Sequence, residues 1–137
     1  MYDDIILNKM EMIYRCIKRI HEVYEGNPAN LDDYTKQDSM ILNLQRACEA
    51  SIDLAMHVVA VKRLGIPQNS RDSFELLYHG GIISDDTAIK LKRMAGFRNI
   101  AVHDYQKVQM EIVKKIIENH LPDFEQLTKE ILAMTTT

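Results

Sequence analysis

Apolar residues return along this chain at steps of three and four and never in alternation over any length, so the pattern predicts helices throughout. From Asp4 to Glu25, the residues Ile6, Met10, Ile13, Ile17, Ile20 and Tyr24 mark one face of an amphipathic helix. Gly26-Asn27-Pro28 stops it. The polar segment from Ala29 to Gln37, with Asp32-Asp33, reads as a loop across one end of a bundle. Asp38 or Ser39 has the chemistry to cap a second long helix, which reaches about Leu64 with Leu44, Cys48, Ser51, Ala55, Val58 and Val59 near one stripe. Gly65-Ile66-Pro67 ends that helix.

Further on, Ser70 is suited to cap a short helix carrying Phe74, Leu77 and Tyr78, which Gly80-Gly81 terminates. Those glycines have no strand before them and no Gly-Lys-Ser/Thr after, so they do not form a phosphate loop. Ser84 opens the next helix, with Asp85 and Asp86 at the positive end of its dipole. Its stripe of Ala88, Leu91, Met94 and Ala95 leads directly into Arg98. A last helical region runs from about Val108 to Met134, and Pro122 either kinks it or begins a new helix. The expected architecture is all-α: an antiparallel helical bundle of four to six helices, its two long N-terminal helices packed against each other.

A chain of 137 residues buries about two-thirds of its unfolded surface in one core, so residues 1–137 are expected to form a single domain. With 46% hydrophobic residues it is not a disordered segment. The longest near-apolar run, Leu54 to Val61, is interrupted by His57 and falls far short of the roughly 20 residues needed to cross a bilayer. Asp3 and Asp4 stand before Ile5 where a secretory signal would be basic, which points to a cytoplasmic protein with no membrane partner. Cys16 and Cys48 sit among apolar neighbours, His57 reads as a satisfied core or interface histidine, and His21, His79 and His120 are scattered, so neither a metal site nor a cofactor is expected. A net charge of −3 argues against a broad electrostatic grip on nucleic acid. Any RNA must be held locally.

Reactive side chains concentrate in one stretch, Arg98-Asn99-Ile100-Ala101-Val102-His103-Asp104-Tyr105. On a helix of about 3.6 residues per turn, Arg98 and His103 lie roughly 140° apart around the axis. They converge only if the helix ends between them, or if Arg98 of one subunit works beside His103 of another. Asn99 and His103, one turn apart, share a face if the helix survives that far. Lys90, Lys92 and Arg93 precede Arg98 by one or two turns; they extend a phosphate-binding surface or form an ordinary solvated face.

The order of these residues, an Arg, four residues, a His, any residue and a Tyr, resembles the HEPN superfamily and most closely its HepT toxin branch. The run from Arg71 through Phe74-Glu75-Leu76-Leu77, Gly81-Ile82-Ile83 and Leu91-Lys92-Arg93-Met94-Ala95-Gly96-Phe97-Arg98-Asn99 shares the likeness. The resemblance is sharp over residues 71 to 105 and looser elsewhere. It implies a metal-independent endoribonuclease toxin of a type VII toxin-antitoxin system, acting as a homodimer with paired Arg and His residues facing one cleft. It also implies that a cognate minimal nucleotidyltransferase antitoxin, MntA-like, silences the toxin by attaching AMP to Tyr105.

The residue chemistry fits that implication. Cleaving RNA without a metal requires the 2′-hydroxyl to lose a proton as it attacks phosphorus, and a histidine with a pKa near ~6.5 can carry that proton. The planar, permanently charged fork of Arg98 matches the phosphate oxygens of the transition state, and the Asn99 amide can orient the histidine or a phosphate oxygen. Three other readings use the same residues. The chain could be a non-catalytic helical partner or substrate-binding subunit of a minimal nucleotidyltransferase, a plain interaction module, or the protective member of a pair whose transferase is the toxin.

Overall fold

The computed structural model describes residues 3–103 and 109–135, with side chains over 3–99 and 109–134. Six α-helices occur in it: α1 (Asp4–Tyr24), α2 (Tyr34–Lys62), α3 (Ser70–His79), α4 (Asp85–His103), α5 (Met110–Asn119) and α6 (Leu121–Thr135). A single 3₁₀ turn, Pro28–Asp32, links α1 to α2. No strand occurs among the described residues, and the expected all-α bundle is what the chain adopts.

The termini of α1 follow its sequence. Asp3 caps it by accepting from the Ile5 N–H at 2.8 Å, and Glu25 ends it in the left-handed region at φ 55°. The next residue, Gly26, continues that conformation at φ 67°. Together they reverse the chain, and α2 returns antiparallel to α1. Two contacts fix that register: His57 Nε2 lies 2.6 Å from the Asp3 carboxylate, and Lys9 Nζ lies 3.3 Å from that of Asp53.

Helix α2 begins earlier than the polar pattern predicts. Its cap is Asp33, whose carboxylate accepts from the Lys36 N–H at 3.1 Å, and not Asp38 or Ser39. The first turn escaped the apolar pattern because Tyr34 is 79% exposed and burial starts only at Met40. From Met40 to Val59 the buried residues cover more than one stripe, including Ala47, Ala50, Ser51 and Ala55. A helix buried over most of its circumference occupies the centre, and its small residues let neighbours approach closely. Accordingly α1, α3 and α4 all pack on α2, while α6 packs on α1, α4 and α5.

The start of α3 also differs by one residue from expectation. Asn69 is the cap, accepting from the Asp72 N–H at 2.9 Å, which leaves the Ser70 hydroxyl available for another partner. Ser84 does cap α4 as the sequence suggests, its Oγ accepting from the Thr87 N–H at 3.2 Å. The Glu130 carboxylate of α6 adds a second acceptor there, taking the Ser84 N–H at 2.7 Å and the buried Thr87 hydroxyl. At the other end of the chain, α5 stops at Asn119 and α6 starts at Leu121, so Pro122 stands in the first turn of a new helix. Phe74, Leu91, Phe124 and Leu127, each at most 1% exposed, link α3, α4 and α6 to the α1–α2 core.

Candidate active site

Helix α4 is continuous from Asp85 to His103. Positions 98 and 103 therefore fall roughly 140° apart around one axis, and positions 99 and 103 fall one turn apart. Of the two routes to convergence, the one in which the helix ends between Arg98 and His103 is closed. The side chain of His103, and all of Tyr105, lie outside the described residues.

Arg98 is half-buried, and one of its terminal nitrogens donates to Ser70 Oγ at 2.8 Å across the α3–α4 contact. Ser70 thus serves as the anchor of the arginine where the sequence suggested a helix cap. Among the described residues the buried Arg98 Nε finds no acceptor, an unmet demand of a kind that folded proteins rarely leave. Behind it lies Cys48 of α2. Burial pushes that thiol far above its ordinary range, and the positive charge of Arg98 only partly opposes the effect. Cys16 is likewise buried with a raised pKa, so both thiols are inert packing groups, as their apolar neighbours implied. Asn99, next to Arg98, is exposed.

The basic residues upstream divide. Lys92 is taken up by Glu75 of α3, whose carboxyl it holds below the usual carboxylate range. Lys90 pairs with Asp86 one turn earlier at 2.9 Å, which raises the lysine pKa. Arg93 is exposed and stands on the wall of a cleft between α4 and α5. The sequence did not single out Lys115 and His120, which line the same cleft. Their signal is weak, because Lys115 is one cation in an amphipathic helix and His120 one residue in the turn between α5 and α6. Among the described residues no three His, Cys, Asp or Glu side chains form a group that could hold a metal ion. None of the described helices is long and apolar enough to cross a membrane.

Comparison with known proteins decides the family. A family model described as ribonuclease HepT-like matches residues 13–131. The chain belongs to the HepT-like ribonuclease family. Its similarity to the mRNA nuclease HepT of Shewanella oneidensis is 52% identity over 131 residues, covering 96% of this chain and 98% of that protein. Among solved structures, it is similar to a tri-AMPylated Shewanella oneidensis HEPN toxin in complex with an MNT antitoxin. That likeness has a TM-score of 0.90 at 52% identity, covering 96% of this chain and 99% of the other. A crystal structure of a toxin-antitoxin with AMP-PNP gives a TM-score of 0.91, with the same identity and coverage. The HepT-like membership and the helical fold that Arg98–Tyr105 and its upstream run implied are both borne out.

Proposed function

We propose that this HepT-like chain is a metal-independent endoribonuclease toxin, cytoplasmic, whose site is assembled from Arg98, Asn99 and His103 of two copies. What carries the reading is the run Arg98–Tyr105 at the end of an unbroken α4, in a chain 52% identical to an mRNA nuclease HepT over nearly its whole length.

The chemistry follows from the residues. One His103 removes the 2′-hydroxyl proton, a bond forms from that oxygen to the adjacent phosphorus, and the bond to the 5′-oxygen breaks. The imidazolium so formed, or that of the second His103, supplies the proton that the leaving 5′-oxygen needs. Acid–base catalysis of this kind contributes about 10² to 10⁴ in rate. The Arg98 forks neutralise charge building on the non-bridging oxygens. DNA lacks the attacking hydroxyl and is not a substrate. Because one helix separates positions 98 and 103, a single copy holds half of the apparatus and the homodimer holds all of it.

A cognate minimal nucleotidyltransferase, MntA-like, silences the enzyme by AMPylating Tyr105. The structure of a tri-AMPylated relative bound to its MNT antitoxin supports this reading. The added phosphodiesters bring negative charge near Arg98 and compete with RNA for its donors. Two measurements test the proposal. Arg98→Ala and His103→Ala are expected to abolish RNA cleavage in chelator while leaving helicity unchanged, and full activity of either removes the site. Incubation with the transferase and ATP is expected to add about 329 Da per AMP group, a charge-adding modification that Tyr105→Phe prevents. Mass gain by that variant would place the modification elsewhere.

A further inference from the structure

The cleft between α4 and α5 has a composition that the chain as a whole does not. Its cavity volume is about 450 Å³, within the range of roughly 300–1,000 Å³ typical of small-molecule sites. The floor is apolar, made by Met94 and Phe97 of α4 and Ile112 and Ile116 of α5. Ile112 is a large aliphatic residue left 45% exposed there. Around that floor stand Arg71, Arg93 and Lys115, and no ion pair among the described residues engages any of the three. In a protein of net charge −3, this is a local reserve of uncommitted positive charge.

The wall is fitted to hold one of these cations in place. Arg71 Nε donates to the Lys92 carbonyl at 3.3 Å, which lays its side chain across α4. A Cβ at Gly96 would stand 2.7 Å from the Arg71 guanidinium, so the glycine makes room for it. Among the described residues the one carboxylate lining the cleft, Asp123, is 7% exposed and lies 3.1 Å from His120 Nδ1. An apolar floor with a cationic rim complements a flat base joined to a phosphate.

We infer that this cleft is a nucleotide subsite, taking one base against Phe97 and Ile112 and the attached phosphate on Arg93, Lys115 and Arg71. The inference rests on the ribonuclease reading for its source of nucleotide, which is the RNA strand or the adenylyl group on Tyr105. Both begin nearby. Phe97 directly precedes Arg98. Gln109, in the cleft wall, is four residues from Tyr105, and four residues of chain span at most about 14 Å.

Methyl NMR on the intact chain tests it, with 5′-AMP and a 2′-O-methyl RNA trinucleotide, which cannot be cleaved, as probes. Methyls of Met94, Ile112 and Ile116 are expected to shift with both probes. Arg93→Glu combined with Lys115→Glu, both exposed positions, should weaken each affinity at least ~10-fold, as expected for loss of a charge-assisted contact. If charge reversal disturbs the helical signal, Arg93→Gln with Lys115→Gln replaces it. Tighter binding of the trinucleotide identifies the RNA strand as the source. Shifts already present in the AMPylated protein, with no response to added AMP, identify the adenylyl group. Unmoved cleft methyls at millimolar probe, or a double variant that binds as the parent does, overturn the subsite. Loss of cleavage in His103→Ala together with unmoved methyls would sink the cleft and leave the nuclease reading standing.

Discussion

In the site proposed above, Arg98 is the side chain whose surroundings the structure describes most fully. Ser70 holds one terminal nitrogen at 2.8 Å, α2 covers its inner side, and Nε finds no acceptor among the described residues. A hydrogen bond to a charged group is worth about 1.5–3 kcal/mol, so Ser70→Ala is expected to lower kcat roughly 10-fold or more with unchanged circular dichroism. Unaltered kcat would mean that the arginine needs no such anchor. Arg98→Lys keeps the charge, loses the fork, and is expected to stay well below the parent rate. Tyr24 gives a residue-scale prediction about stability. Its phenol donates to Glu118, and burial, reinforced by that carboxylate, pushes its pKa up to about 12. An unfolded tyrosine titrates near ~10, so this contribution is complete below that pH and disappears as pH rises toward 12. Tyr24→Phe should cost about 1 kcal/mol at neutral pH and flatten the alkaline loss in urea titrations.

Among the elements, α4 matters most, because it carries Arg98 at one end and is tied down at the other. Glu130 reaches from α6 to the Ser84 N–H and the Thr87 hydroxyl, so the first turn of α4 is capped by a residue 46 positions away. Glu130→Ala is expected to destabilise the protein by about 1–2 kcal/mol and to speed amide exchange first at the start of α4. Uniform exchange along α4 would contradict that role. Leu91, fully buried in the middle of the same helix, should cost about 2–5 kcal/mol as Leu91→Ala, through the cavity left behind. Five helical regions were legible because their buried faces repeat with helical period and their ends carry Gly, Pro or capping residues, while the division of the last into α5 and α6 was left open at Pro122. The first turn of α2 was not, since Tyr34 faces outward and Asp33 acts only through its local cap. Neither was the Glu130 cap, which no local pattern announces. The motif itself was readable as an ordered set of residue types. Its setting against Ser70 and Cys48 exists only after α2, α3 and α4 pack, and spacing along the chain cannot report it.

For the whole molecule, the consequence of an unbroken α4 is that one copy cannot bring positions 98 and 103 onto one face. A net charge of −3 points the same way, since affinity for RNA must come from a small, concentrated group of cations and not from a broad basic surface. The paired arrangement predicts complementation. Arg98→Ala and His103→Ala, each inactive alone, form mixed dimers that hold one intact Arg98 and one intact His103 on opposite copies. The most direct measurement is therefore RNA cleavage, in chelator, by each variant alone and by the two unfolded and refolded together. Inactive single variants and a mixture that recovers a readily measured fraction of parental activity are the predicted result. Full cleavage by either variant alone would contradict the account.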